Sequence, residues 1–276
     1  MSTPIGESVN LPDWAPKGVD VDKASAARLY DFFLGGSYNF EVDRILGRKL
    51  AEAAPGVYEF TRLNRAFLRR AVRYLCEQGI DQFLDIGSGI PTAGNVHEIA
   101  QRTNPDARVV YVDNEPVAVA HSELLLEDNP NAVAFEADLR DPDSILGHEK
   151  TRKMLDFSRP IGLLSVAVYH FIPEVADPQA LAARYRAALP SGSFLAVSHV
   201  TEDSMGDQVR QLVDLMRASQ NPVTPRTRAA FTALFDGFEL VDPGVVFTAQ
   251  WHPESPEDVG EHPEDSAVYA AVGRKP

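Results

Sequence analysis

Apolar positions recur along this chain with two different periods. From Val21 to Gln78 they return every three or four residues, in "DKASAARLYDFFL", "EVDRILGRKLAEAA" and "TRLNRAFLRRAVRYLCEQG". In the last of these Leu63, Ala66, Phe67, Ala71, Tyr74 and Leu75 share one helical face, and Gly79 stops the turn. A helical cap over residues 19–79 is therefore expected ahead of the first strand. After Gly79 the rhythm changes to short, nearly continuous apolar runs: "DQFLDIG", "ARVVYVD", "AVAFEAD", "IGLLSVAVY" and "GSFLAVSHV". Helix-like stretches separate them, from about Thr92, Pro116, Asp141 and Pro178. Strands buried on both faces and alternating with helices predict a doubly wound, parallel α/β sheet.

Two further helical stretches follow, "DSMGDQVRQLVDLMRAS" and "PRTRAAFTALFDG", the second with Thr224 as its expected cap and Pro225 at the first helical position. The chain ends on two strand-like runs, "FELVDPGVVFT" and "SAVYAAVGRK", joined by the acidic, proline-rich "QWHPESPEDVGEHPED". A connection without a helix suits an antiparallel pair at a sheet edge. Residues 1–18, rich in proline and polar side chains, read as a mobile arm, and residues 19–276 as one domain, with the cap at 19–79 and the sheet-based core at 80–276.

Charge narrows the partners. Forty acidic against twenty-six basic residues leave a net charge of -14, which disfavours a general attraction to nucleic-acid phosphates or anionic lipid. No stretch reaches the length needed to cross a bilayer, and the first residues lack the basic start and apolar run of an export signal, so a cytoplasmic protein is expected. The one cysteine, Cys76, allows neither an internal disulfide nor a cysteine-based zinc site.

The chemistry concentrates where strands end. "LDIGSGIPT" carries an acid, Asp85, followed by two glycines, Gly87 and Gly89, that allow a sharp turn close to a ligand. Asp113 ends the second strand, where an acid is suited to accept hydrogen bonds from two ribose hydroxyls, and Asp138 ends the third, where it can accept from an adenine amino group. The ligand implied is an adenosine. A dinucleotide or triphosphate wants a full G-x-G-x-x-G or a P-loop lysine. "DIGSGIPTAGNVHE" instead places an acid before the turn and no basic residue through Glu98, which suits a ligand with an ammonium and a sulfonium, S-adenosyl-L-methionine. An NAD-dependent oxidoreductase is the rival enzyme, since the acid on the second strand serves NAD as well.

Taken together, "DIGSGIPT", "VVYVDNEPVAVAHS", "EADLRDP" and "SVAVYHFIPE" resemble the motifs of class I S-adenosylmethionine-dependent methyltransferases. More narrowly, "RLYDFFLGGSYNFEVDR", "NRAFLRRAVRYL", "LDIGSGIPTAGNVHEIAQ" and "FTALFDGFELVDPGVV" are similar to the actinobacterial S-adenosyl methyltransferase family formerly described as a domain of unknown function, from about Ser25 to the C-terminus. The resemblance implies a Rossmann-like sheet of seven strands, mainly parallel with the last inserted antiparallel, and methyl transfer to a small-molecule acceptor. By it, Gly87, Ser88 and Gly89 would pass beside the methionine part, Asp85 would lie near its amino group, and Asn64 and Arg65 could reach its carboxylate. Asp113 flanked by Asn114 would hold the ribose, and Asp138 with Leu139 the adenine. The cap is expected to close over the cofactor, making Arg28, Tyr30, Gly35, Gly36 and Asn39 candidates for cofactor or substrate contact.

The remaining candidates concern the acceptor. His170, after the fourth strand, is a candidate general base for a hydroxyl or amine, with His199 an alternative. Tyr38 and Tyr169 are candidates for lining a substrate cavity between cap and sheet, and Trp251 on the long loop for lying over it as a lid. His97 reads as structural. His252 and His262 lie in the acidic loop with Glu254 and Glu261, at a spacing that matches no metal-ligand set, so no metal is expected. A binding protein that keeps the cofactor pocket without catalysis is the alternative from another functional class.

Overall fold

A computed structural model describes residues 15–16, 19–92 and 94–276. The expected arm, apart from Ala15 and Pro16, lies outside the described residues. The cap consists of α1 (Ala26–Phe33), α2 (Glu41–Ala53) and α3 (Val57–Glu77). The alternating part follows as β1 (Gln82–Ile86), α4 (Val96–Thr103), β2 (Arg108–Asp113), α5 (Pro116–Leu125) and β3 (Ala132–Glu136). Next come α6 (Pro142–Leu146), α7 (Glu149–Met154), β4 (Gly162–Val166), α8 (Pro178–Ala188) and β5 (Phe194–Val200). The C-terminal part holds α9 (Gly206–Met216), α10 (Arg228–Thr232), β6 (Glu239–Leu240), β7 (Val246–Phe247) and β8 (Val268–Arg274). Among the described residues no helix is long and apolar enough to cross a membrane.

The sheet runs in the order β3-β2-β1-β4-β5-β8-β6, with β7 also paired to β8. β1 to β5 are parallel, and β8 enters antiparallel beside β5, in register from Phe194 opposite Arg274 to Val200 opposite Val268. The strand order reverses between β1 and β4, so ligand space opens above the tips of these central strands.

Expectations about local structure are corrected in three places. The sixth expected strand is broken into β6 and β7, giving eight strands among the described residues. Pro243 has no amide hydrogen for a ladder, and Gly244, with φ of 77°, turns the chain back through a hydrogen bond to Val241 O. The helix expected to start at Thr224 starts at Arg228, capped by Thr227, whose hydroxyl accepts from Ala230 N at 3.3 Å. Residues 224–226 are held elsewhere: Thr224 N donates to His170 O at 2.7 Å and Arg226 N to Val200 O at 3.1 Å. Likewise the helix expected from about Thr92 begins at Val96, which leaves a longer loop after β1.

Strand periodicity divides the core. Leu84, Ile86, Val110 and Val112 pack on one face of the sheet, whereas Phe83, Val109 and Tyr111 pack on the other with Phe67, Ala71 and Leu75 of α3. α3 therefore covers a sheet face as well as belonging to the cap. Each large apolar side chain so buried contributes on the order of 1.5–3 kcal/mol relative to exposure.

Candidate functional site

The glycine loop is shaped by a contact at Gly87 that leaves no room for a side chain and by a left-handed backbone at Gly89. Gly87 has φ of 75°, and a Cβ there would lie 2.3 Å from a methyl of Val168, which follows β4. Its amide donates to Val112 O of β2 at 2.7 Å. Gly89, with φ of 68°, donates its amide to Asp113 Oδ2 at 2.7 Å, while Asp113 Oδ1 accepts from Glu115 N at 2.9 Å. One carboxylate thus ties the loop after β1 to the start of α5.

These acids sit in an unfavourable medium for charge. Asp85 is nearly fully buried, and no hydrogen bond reaches its carboxylate among the described residues. Burial pushes its pKa up to about 7, with Asp113 adding repulsion and Arg65 countering. Asp113 rises to about 6 for the same first reason, although the Gly89 and Glu115 amides favour its charged form. Asp138 moves the other way: Arg140 Nε donates to it at 2.9 Å, holding its carboxyl below the usual range.

The strand tips and the cap enclose a cavity of about 500 Å³. Asp85, Gly87, Ser88, Gly89, Asp113, Asn114, Asp138 and Leu139 line it from the sheet, and Tyr30, Asn64 and Arg65 from the cap. Tyr30 Oη donates to Thr61 O at 3.1 Å and accepts from Asn64 Nδ2 at 2.9 Å, so this pair braces α1 on α3. Burial pushes the Tyr30 phenol up to about 12, which keeps it protonated.

His170 also lines the cavity, in a single 3-10 turn at Tyr169–Phe171. Its Nδ1 is buried with no hydrogen-bond partner among the described residues. Burial drives its pKa well below the usual histidine range, helped by His199 and Arg226, so the ring is uncharged at neutral pH. Arg226 is the organiser here: its guanidinium donates to Tyr169 O at 2.9 Å, Ile172 O at 2.7 Å and His199 Nε2 at 2.7 Å, and its Nε pairs with Glu174 at 2.7 Å. His199 is consequently a strut under the turn, and His97 a partner of the Tyr111 hydroxyl at 2.8 Å.

Several expected contacts lie off the cavity wall. Trp251 is fully buried in the core cluster that α3 forms with the sheet, edge-on to Phe67 at 5.4 Å and Tyr74 at 5.6 Å, with its carbonyl held by Arg70 Nε at 2.7 Å. An indole this large gains more from that apolar seat than from solvent, so it is a core residue and not a lid. Arg28 is fully buried between Asp43 Oδ2 at 2.9 Å and Glu115 Oε1 at 3.0 Å; it bolts α1 and α2 to the head of α5 behind the wall. Asn39 is turned inward, donating to Asp31 Oδ2 at 2.7 Å, and the same carboxylate occupies the space a Cβ on Gly36 would need. Gly35, with φ of 77°, serves the same turn and is not on the wall. Tyr38 stacks on His121 at 3.8 Å, and Tyr169 belongs to the core under the sheet tips. In the acidic loop, His252 bonds Asp242 O at 2.7 Å and His262 bonds Glu264 at 3.2 Å.

Other wall residues carry no sequence signal for the site. Glu115 lines the cavity as the N-cap residue of α5, and Leu212, Met216 and residues 220–224 reach it from α9 and the loop beyond. Bonds to distant segments bring that loop over the strand tips: Thr224 N to His170 O, Arg226 N to Val200 O and Gln220 N to Ala24 O.

The site fits S-adenosylmethionine better than a dinucleotide. The Gly89 amide, the donor a pyrophosphate would need at this turn, is already engaged by a carboxylate, and two further acids would repel phosphate. Asp85, nearly fully buried and without a hydrogen bond among the described residues, fits a cationic ammonium instead.

Comparison with known proteins agrees. A structure of a DUF574 family protein from Streptomyces avermitilis superposes with a TM-score of 0.90 at 40% identity, covering 93% of this chain and 99% of that one. A candidate methyltransferase from Thermobifida fusca superposes equally well, at 0.90 and 41% identity, covering 96% and 99%. No curated protein matches the chain. A family profile described as S-adenosyl methyltransferase matches residues 12–276, and the chain belongs to that family of S-adenosylmethionine-dependent methyltransferases.

Proposed function

We propose that this methyltransferase acts on a small-molecule acceptor, with the donor held over β1, β2 and β3 and the acceptor under the cap. The observation that carries the reading is Asp85: a nearly fully buried carboxylate with no hydrogen bond among the described residues, near the end of the central strand and on the wall of a cavity of about 500 Å³. When bound, S-adenosylmethionine supplies a methyl group already activated on sulfur, so the chain's task is alignment and a dry site.

On this reading Asp85 holds the donor's ammonium and Arg65 its carboxylate, with Gly87, Ser88 and Gly89 leaving the backbone close. Asp113 accepts from the ribose hydroxyls with the lone pairs its amide partners leave free. Asn114 flanks the ribose, and Asp138 and Leu139 hold the adenine. Tyr30 keeps the cap seated through Asn64 and the Thr61 carbonyl. The lowered pKa of His170 keeps its ring uncharged, which suits a neutral wall beside the acceptor more than a strong general base.

Calorimetry with S-adenosylhomocysteine tests the donor half. Asp113→Ala is expected to weaken binding by at least tenfold, and unchanged affinity would remove Asp113 from the site. Incubation of the protein and methyl-labelled cofactor with fractionated small-molecule extract tests the acceptor half, through label appearing in a small product.

A further inference from the structure

The cavity has two chemically different ends, and the sheet order keeps them apart. The charged side chains on its wall cluster at one end: Asp85, Asp113, Glu115, Asp138 and Arg140 follow the tips of β1, β2 and β3, and Arg65 donates to Gly94 O in the loop after β1 at 3.3 Å. β4 separates these strands from β5. Over the β5 tip the wall is Leu29, Phe33, Leu50, Phe60, Leu212 and Met216, drawn from four helices and gathered with Val200 into one hydrophobic cluster. Among the described residues no charged side chain lines that end.

Two neutral amides at its margin each spend one polar atom on a neighbouring backbone. Asn221 Oδ1 accepts from Ala26 N at 2.9 Å, and Gln220 Nε2 donates to Lys23 O at 3.2 Å. Behind the wall a second hollow of about 40 Å³ shares Val57, Phe60, Val200 and Leu212 with the main cavity and is closed on its far side by residues that include Gln208 and Asp265. An ionic group placed here would lose its hydration and find no counter-charge.

We propose that the methyl acceptor is an uncharged, mainly apolar small molecule seated over the β5 tip, with its nucleophile presented at the β4 tip beside His170 and Phe171. This deepens the functional reading above and rests on the donor occupying the charged end. It excludes acceptors whose bulk is a phosphate, a carboxylate or an ammonium, because the charged groups that could balance them lie on the donor side of β4.

Two fluorescent probes with the same ring system decide the matter: N-phenyl-1-naphthylamine, which is uncharged, and 8-anilinonaphthalene-1-sulfonate, which carries an anion. Each is titrated against the full chain saturated with S-adenosylhomocysteine, whose own binding is measured by calorimetry. The uncharged probe is expected to bind at least tenfold more tightly. Leu212→Lys, and independently Met216→Lys, should weaken it tenfold or more, strengthen the sulfonate, and leave S-adenosylhomocysteine affinity within twofold. Equal affinities for the two probes, or an uncharged probe that ignores both substitutions, would overturn the proposal. Failure of S-adenosylhomocysteine to bind would instead defeat the donor assignment, and the probe comparison repeated without it still decides the apolar end.

Discussion

The sheet side and the helical side of the cavity solve different problems. The sheet side concentrates acids at strand tips and tolerates their burial: burial lifts both Asp85 and Asp113 well above the usual carboxylate range, with repulsion from Asp113 and from Glu115, respectively, adding to it. The end over β5, walled by apolar side chains of α1, α2, α3 and α9, has no charged side chain among the described residues and is held by hydrophobic packing. On the reading proposed above, the electrostatically strained wall receives the polar, partly cationic donor and the relaxed wall an apolar acceptor. Stability is given up where binding needs charge, and recovered where it does not.

Arg28 joins the two sides, since it pairs with Asp43 of α2 and with Glu115 at the head of α5. Arg28→Met is expected to have the largest effect: it leaves two buried carboxylates without their partner, a loss of about 3–5 kcal/mol for breaking such a pair. Urea denaturation should report that loss, and S-adenosylhomocysteine affinity should fall with it as the cap loosens. Full stability in Arg28→Met would show that the two sides are independent.

Asp85→Asn separates stability from binding on the sheet side alone. Because the folded pKa of about 7 lies above the ordinary value of 3.8, the stability contributed by protonated Asp85 is present below pH 4 and lost as pH rises through 7. The ligand-free Asn variant should therefore be more stable than the parent at pH 8, by on the order of 1.4 kcal/mol for every tenfold difference in proton affinity between the folded and unfolded carboxyl. Its affinity for S-adenosylhomocysteine should drop, and the parent's gain in affinity between pH 6 and 8, as Asp85 ionises, should flatten. A variant that loses stability at pH 8 would contradict the strained-acid account.

The smallest effect is expected at the rim. Arg140 and Asp138 form a largely exposed pair, worth up to about 1 kcal/mol. Arg140→Ala should change the melting temperature little and let the Asp138 pKa rise toward its ordinary value, as carboxylate NMR titration would show. A large loss of stability would mean that Arg140 supports the wall in a way its exposure does not suggest.

The two walls also differ in how far they could be read in advance. Asp85, Asp113 and Asp138 each end an apolar run, and a parallel sheet brings successive strand ends together, so one-dimensional order becomes proximity. The same holds for Gly87, whose need for a left-handed turn is local. Trp251 and the segment after α9 have no such logic. The indole faces Phe67 and Tyr74, nearly two hundred residues earlier in the chain, and Thr224 left its expected helix for a hydrogen bond to His170 O.

Periodicity, glycine punctuation and the placement of acids at strand ends were sufficient to determine the doubly wound sheet and the acidic side of the cavity, because each acts over a few residues and repeats. The broken sixth strand, the buried bolt at Arg28 and the apolar wall over β5 were decided only when distant segments packed. Those features depend on which side chains compete for the same buried space and the same hydrogen-bond partners, and such competition exists only in three dimensions.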